Sequence, residues 1–410
     1  MSTITALDLS HIRIHDPDSF VERFPYEWFD ELRRDAPVAF LQDDIEGVPF
    51  WAVTRHADVK HVSRNANLFS SYERTSIFRE PTYDETDLEQ QRLMMVNMDP
   101  PEHTRLRSIV NNGFTPRMIN RLEGRIRQFC DKVIDDALAA GSGDFVKLVS
   151  AQLPLDVIAE IMGAAPSDRD TIFDLSNRLI GFDDPKFQTS LADAKVAAAE
   201  MYVLADRLRQ EHEADPQDDV VHKLMTAEID GEGLSDLEFG LFFLLLNVAG
   251  NETTRNAISH GLVAMMQHPE QWELLKSDPE QYAETAADEI IRWAHPVIQF
   301  RRTAMEDTEI GGTEIPKGSK VVIYYASANR DEEVFADPYV FDITRSPNDH
   351  ISFGGGGAHF CLGSHLAKRE VAIMFEQLAT RMPDIALAGD PVRLRSNFIN
   401  GILELPATFA

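Results

Sequence analysis

The chain has two cysteines, Cys130 and Cys361, and only the second sits where sulfur chemistry is expected. Four consecutive glycines, Gly354 to Gly357, come shortly before it; Gly363 and a run of helix formers follow. A loop stripped of side chains can take backbone angles closed to other residues and can approach a large ligand closely. A sulfur at a helix start is favoured as thiolate by unpaired N–H groups and the helix macrodipole. This order suits a soft metal ligand whose metal lies inside a flat macrocycle. The plain alternative is a small buried thiol beside a flexible loop. A phosphate loop does not fit, because no Gly-Lys-Ser/Thr ending follows the glycines and no strand feeds a G-x-G-x-x-G turn. Zinc wants three or four ligands, and His359, Cys361 and His365 alone are a poor set.

A second candidate is Ala249-Gly250-Asn251-Glu252-Thr253-Thr254, set in a long apolar stretch. Gly250 costs ~1 kcal/mol against Ala in a helix interior, and an unpaired buried Glu252 costs more. Local rules broken together mark functional sites. The alternative, a polar helix end, is opposed by the apolar continuation through Ile258, Leu262, Met265 and Met266. His103 and Arg107 are four apart and share a helix face, which taken alone reads as solvated charge.

The elements that position these residues follow from caps and periodicity. Ser235-Asp236-Leu237-Glu238 is a capping box, and helical spacing then persists to Gln267, stopped by His268-Pro269. About 32 residues would span roughly 48 Å, and an apolar first half predicts a buried central helix. Tyr26 to Arg34 reads as a first helix, Val38 to Phe40 and Pro49 to Thr54 as a hairpin, and Arg55 to Val62 as a helix. Ser70 to Asn97 is polar and reads as a long binding loop. Met94, Met95, Val96 and Met98 at its end suit core and pocket equally. A helix opening at Asp99-Pro100-Pro101-Glu102 carries His103, Arg105 and Arg107, and Thr115-Pro116 separates it from another over Met118 to Ala139. Gln152 to Ala214 reads as several helices, with Asn177 to Gln188 as a mobile connection. Glu289 and Arg292 share a helix face. Gln299 to Ala304 and Lys320 to Tyr324 read as strands, and Phe398 to Ile402 as a terminal hairpin. The expected class is mainly α with small β-sheets, with no domain boundary across residues 1–410.

Bulk properties narrow the partners. A net charge of −29 and a pI near 4.7 argue against nucleic acid and anionic membranes. Met1 to Phe20 has no apolar signal region, and the apolar run Leu241 to Leu246 is far short of the ~20 residues that span a bilayer. A cytoplasmic protein without a membrane anchor is expected. A pair of cysteines makes no disulfide framework, and Cys130 reads as a helix-buried thiol.

Together these segments resemble the cytochrome P-450 family. The family's haem-binding signature is F-x-x-G-x-[RH]-x-C-x-G-x-x-[LA]-A-x-x-E, and Gly357, His359, Cys361, Gly363, Leu366, Ala367 and Glu370 take its positions. Phe353 lies eight residues before Cys361, one more than the signature has, so the packing of Phe353 against the sulfur is left open. Ala249 to Thr254 matches the family's [AG]-G-x-[DE]-T-[TS] segment, His103 and Arg107 its H-x-x-x-R pair, and Glu289 and Arg292 its E-x-x-R pair with Arg345 as third member. The motifs come in family order across essentially the whole chain.

The resemblance implies the P-450 fold, with haem b (iron protoporphyrin IX) between the long central helix and the cysteine-loop helix. Cys361 would be the iron ligand, with Phe353 and Gly363 beside it. His103, Arg107, Arg302 and His359 would hold the haem propionates, Arg301 being the competing register for Arg302. Ala249 and Gly250 would leave room for dioxygen, Thr253 would hydrogen-bond it, and Glu252 would relay protons. Met94, Met95, Val96, Val248, Val297, Gln299, Phe398 and Ile399 would line the substrate pocket. Glu289, Arg292 and Arg345 would serve folding and haem retention.

The implied activity is a haem-thiolate monooxygenase that inserts one atom of O2 into a C–H bond of an apolar small molecule. The central-helix sequence and long glycine loop look most like bacterial members that oxidise sterols, steroids and methyl-branched lipids, with small terpenoids open. The electrons would come from an iron–sulfur ferredoxin with its NAD(P)H-dependent reductase, docking on Arg117, Arg121, Arg125, Arg127, Lys368 and Arg369. The alternatives are a peroxide-driven peroxygenase, which Thr253 beside Glu252 opposes, and a non-catalytic haem-based sensor or carrier.

Overall fold

Helix ends in this chain follow local chemistry. Helix α1 (Tyr26–Asp35) stops ahead of Ala36-Pro37, since a residue before proline is pushed out of the helical region. Strands β1 (Val38–Leu41) and β2 (Phe50–Val53) then pair antiparallel, Val38 opposite Val53 and Leu41 opposite Phe50. Helix α2 (His56–Arg64) and the short strand β3 (Phe69–Ser70) follow. A computed structural model describes residues 8–78, 85–111, 113–180, 191–216, 220–229 and 231–410.

Within the segment expected to be loop, Glu85–Arg92 is helical: it is built of helix formers, and buried Leu88 anchors it. Helix α3 (Glu102–Asn111) carries His103 and Arg107. Thr115 caps α4 (Pro116–Ala140), with Pro116 at its first position. Helices α5 (Gln152–Ile161), α6 (Arg169–Ile180) and α7 (Leu191–Ala214) come next. The expected connection from Asn177 to Gln188 lies outside the described residues beyond Ile180.

The capping box at Ser235 is formed. Its hydroxyl accepts from Glu238 N–H, and the Glu238 carboxylate accepts from Ser235 N–H. It starts α8 (Asp236–Gln267), 32 residues long, which packs on α5, α6 and α7. On its other side α8 meets α10 (Pro279–Ala294), reached through α9 (Pro269–Ser277), and α11 (Ser364–Arg381), which follows Cys361. Strands β4 (Gln299–Ala304) and β5 (Lys320–Tyr324) complete one sheet in the order β1-β2-β5-β4-β3, where only β2 and β5 run parallel. A mainly α architecture with small sheets results.

One buried ion cluster ties α10 to the segment leading to Cys361. Arg292 Nη2 lies 2.7 Å from Glu289 Oε1, and both residues are 0% exposed. Arg345 Nε reaches Glu289 Oε2 at 3.3 Å, and Asp342 N–H donates to Oε1 at 3.0 Å. Arg292 Nη1 also donates to Asn329 O and Pro338 O. A buried pair repays its desolvation only when its remaining donors and acceptors are met, as they are here.

His295 ends α10 with φ 33°, a left-handed conformation that Asn and His tolerate better than most. Burial, with Arg330, His260 and Arg393 nearby, pushes this imidazole well below its usual range. The folded pKa is lowered, so the unfolded chain takes up the proton first. Stability from this group is complete above pH ~6.5 and is lost as pH falls below it. His295→Asn keeps the backbone and removes the titration. Urea melts at pH 7 and pH 5 are expected to show a smaller acid loss in the variant, by at most about 1.4 kcal/mol per pH unit. An unchanged pH dependence would refute this role.

Candidate active site

Cys361 hangs between the glycine loop and α11. Its N–H donates to Phe353 O at 2.9 Å, which closes the loop into a tight finger. The glycines serve a docking that the sequence did not reveal. A Cβ on Gly357, at φ +80°, would lie 2.4 Å from Ser63 O and 3.0 Å from Arg64 Cα on α2. Arg64 Nε donates to Gly355 O at 3.2 Å. The longer loop is thus seated against α2, while Phe353 still faces the same cavity as Cys361. Burial pushes the Cys361 thiol up, and the Gly363 N–H and the Arg107 guanidinium oppose that rise.

Across the cavity stands α8, presenting Ala249, Gly250, Thr253, Thr254 and Ala257. At Gly250 a Cβ would come 2.6 Å from Ile158 Cδ1, so glycine here also lets α5 approach. Thr253 Oγ1 donates back to Ala249 O at 2.6 Å. Glu252 is turned away from the cavity wall. It is 2% exposed and one carboxylate oxygen is paired with Arg255, while Oε1 has no partner. Burial raises its pKa and Arg255 opposes the shift.

Positive charge gathers at one edge. His103 and Arg107 from α3, Arg302 from β4 and His359 from the cysteine loop all line the cavity. Arg302 lines the cavity and Arg301 does not; the backbone N–H of Arg301 donates to Ser76 O at 2.8 Å. Arg302 is 4% exposed and donates to Arg301 O; Arg107 donates to Asn111. Neither forms an ion pair with a carboxylate among the described residues, and burial lowers the pKa of both. The His103 imidazole is pushed down to about 4, by burial first and by Arg107 second, and its Nδ1 has no partner. The His103 and His359 ring centres are 4.3 Å apart. Buried cations without anions are costly. A haem brings two carboxylates and a flat apolar ring, and charge-assisted donors beside a thiol fit it.

The cavity measures about 250 Å³ and opens to solvent. Of the expected pocket residues, Met95, Val96 and Val297 lie on its wall. Met94 packs against the core, Val248 lies off the wall, and Gln299 is buried behind it with both amide atoms unpartnered. Ile399 supports Val297 through an isolated β-bridge, and Phe398 meets the wall residue Phe300 edge-on at 5.4 Å. Phe114, Phe242, Leu245, Leu246 and Tyr325 also line the cavity and were not foreseen. The spacing Phe242, Leu246, Ala249, Thr253 marks one face of α8 and was the available signal for two of them. Glu370, on α11, is buried at the inner end with Oε2 unpartnered, and burial pushes its carboxyl well up.

Residues 44–381 match the cytochrome P450 family model. A steroid C26-monooxygenase of Rhodococcus jostii is 46% identical over 400 residues, covering 96% of this chain and 84% of the relative. A methyl-branched lipid omega-hydroxylase of Mycobacterium tuberculosis is 42% identical, covering 93% and 90%. Among solved structures, a Mycobacterium marinum cytochrome P450 in complex with pseudoionone superposes with a TM-score of 0.86 at 39% identity, covering 93% of this chain and 94% of that one. A Bacillus megaterium P450 in complex with testosterone gives a TM-score of 0.81 at 31% identity, covering 94% and 99%.

The uncompensated cations make a two-sided prediction. Arg302→Met is expected to raise the melting temperature of the apoprotein, because a buried unpaired charge is removed. If Arg302 holds a propionate, the same variant is expected to lose haem to apomyoglobin at least about tenfold faster. Equal haem-transfer rates in variant and wild type would refute the assignment.

Proposed function

The chain belongs to the cytochrome P450 family, and from that membership we propose that it hydroxylates an aliphatic C–H bond of a steroid or a methyl-branched lipid. It is a haem-thiolate monooxygenase. When bound, the haem supplies what no side chain offers, activation of O2 by two electrons so that one oxygen atom enters the substrate and the other leaves as water. The observation that carries the substrate class is the set Phe114, Phe242, Leu245, Leu246 and Val297 on the cavity wall, whose side chains are apolar and offer no hydrogen-bonding groups. Such a wall selects by shape and apolar area. The names of the relatives, steroid C26-monooxygenase and methyl-branched lipid omega-hydroxylase, support the same class.

In this reading Cys361 is the thiolate ligand, flanked by Phe353 and Gly363. Arg107, Arg302, His103 and His359 hold the propionates. Ala249 and Gly250 keep the wall low opposite the sulfur. Thr253 holds a proton at Oγ1 on that wall, and Glu252 replaces it from Oε1, the oxygen not taken by Arg255. At rest that carboxyl is turned from the cavity and paired with Arg255, so the transfer requires it to swing toward Thr253.

The electrons come from a redox partner, which we take to be an iron–sulfur ferredoxin with its NAD(P)H-dependent reductase. Four of the expected docking cations are already engaged: Arg125 with Glu160, Arg127 with Glu376, Lys368 with Asp288, and Arg369 with Glu284. Arg121 has an interaction of its own, whereas Arg117 is exposed without an ion-pair partner among the described residues. The docking role therefore falls mainly on Arg117. No helix among the described residues is long and apolar enough to cross a membrane.

Three experiments follow from this reading. Titrating the ferric protein with steroids and methyl-branched fatty acids is expected to give a low- to high-spin Soret shift with one of these classes; a shift with neither would overturn the substrate assignment. Glu252→Gln is expected to lower product formation about 10²-fold and leave that spectral shift in place. Arg117→Glu is expected to raise the ferredoxin concentration for half-maximal turnover several-fold at unchanged maximal rate, while Arg125→Glu does so less. Equal effects of the two charge reversals would refute the docking assignment.

A further inference from the structure

Two walls of the cavity come from distant parts of the chain. Met95 and Val96 stand on one, in the short helical turn Met95–Asn97, and Phe300 and Arg302 of β4 stand on another. Ser76 ties the chain neighbours of these residues together. Its N–H and its Oγ–H both donate to Asn97 Oδ1, at 2.9 and 2.7 Å. Asn97 follows Val96 directly. The Ser76 carbonyl accepts from the Arg301 N–H at 2.8 Å, and Arg301 sits between Phe300 and Arg302. Asn97 Nδ2 completes the bracket by donating to Gln91 O at 2.9 Å, in the helical segment Glu85–Arg92.

The backbone detours to bring Ser76 here. It pairs with β4 through Ser70, leaves over residues 71–75 and returns to the same strand at Arg301. Thr75, at the point of return, has φ 69°. A β-branched residue in the left-handed region is an outlier, and such strain persists only where the surroundings hold it. Ser76 is 0% exposed and Asn97 3%, and every polar side-chain atom of the two has a partner. Neither residue lines the cavity. A buried polar network whose members are all met fixes one geometry, which an apolar pair of the same size does not.

We propose that Ser76 and Asn97 are positioning residues for selectivity: by locking the Met95–Val96 turn to the strand that carries Phe300, they set how the substrate lies and which carbon it presents for hydroxylation. They touch neither substrate nor haem, and they act through Val96 and Phe300. A ring system or branched chain in contact with both walls feels their relative position. A ligand too small to reach both does not. This rests on the cavity being the site for a steroid or a methyl-branched lipid.

The test uses the haem-loaded full chain, with the steroid or methyl-branched fatty acid that shifts the wild-type spin state as probe. Asn97→Ala removes the acceptor of both Ser76 donors. It is expected to raise the spectral dissociation constant of the probe about tenfold and to spread hydroxylation over neighbouring carbons. Ser76→Ala, which keeps the backbone bond, is expected to do so less, and it carries the test should Asn97→Ala fail to fold. The double variant is expected to match Asn97→Ala alone, because the two side chains act through one contact. Imidazole, too small to touch both walls, is expected to bind every variant as it binds the wild type, with haem content and the carbon-monoxide spectrum unchanged. Wild-type probe affinity and product pattern in both single variants would overturn the proposal. So would imidazole binding weakened as much as probe binding, which marks general damage to the site. A wild type that shifts with neither class overturns the substrate reading itself, and the proposal with it.

Discussion

Arg107 comes from a helix and Arg302 from a strand nearly two hundred residues later, yet both guanidiniums reach one cavity edge with no carboxylate paired to them among the described residues. After burial, which acts first, they depress the neighbouring imidazole of His103, and Arg107 opposes the rise that burial imposes on the Cys361 thiol. Concentrated positive charge in a low-dielectric interior is costly. In the proposed assignment the haem propionates would supply the anions that make it tolerable. The remaining architecture holds the carriers of that charge still. The sheet fixes Arg302 between β5 and β3, and the Glu289–Arg292–Arg345 cluster pins the segment that enters the cysteine loop. The glycine loop in turn is clamped on α2.

Helix α8 serves two chemistries with two faces. Toward the cavity it offers small and apolar residues together with the Thr253 hydroxyl. Away from it run buried amides, a carboxylate and a guanidinium, satisfied only in part by neighbouring side chains. A helix in a purely structural role would bury leucine on both faces. The polar stripe lowers packing energy, and the Glu252–Arg255 pair keeps a carboxyl ready inside an apolar core.

Surface charge shows a different economy. The chain carries a net −29, and most of the cations expected to attract a redox partner are spent on nearby carboxylates. Exposed ion pairs contribute little to stability, yet they silence local charge. A docking face on such a protein is defined by the cations left over, and counting arginines does not reveal it.

Much of the molecule was legible in the sequence because it is settled within a few residues. The Ser235 capping box, Pro116 at the head of α4, the E-x-x-R pair and the period of α8 are all local. The cysteine loop, the H-x-x-x-R pair and the Arg301-Arg302 segment, read through their resemblance to the P450 family, pointed to Cys361, His103, Arg107 and Arg302, and these four line one cavity. Tertiary structure alone decided the rest. It chose Arg302 over Arg301, because strand pairing determines which of two adjacent side chains faces the cavity. It put Ser63 under Gly357, giving the long glycine run a second purpose. It turned Glu252 toward Arg255 and brought Phe114 to the wall. In each case the deciding neighbour is a side chain or a backbone atom set by packing. Spacing along the chain fixes which residues share a face, and only packing fixes what that face meets.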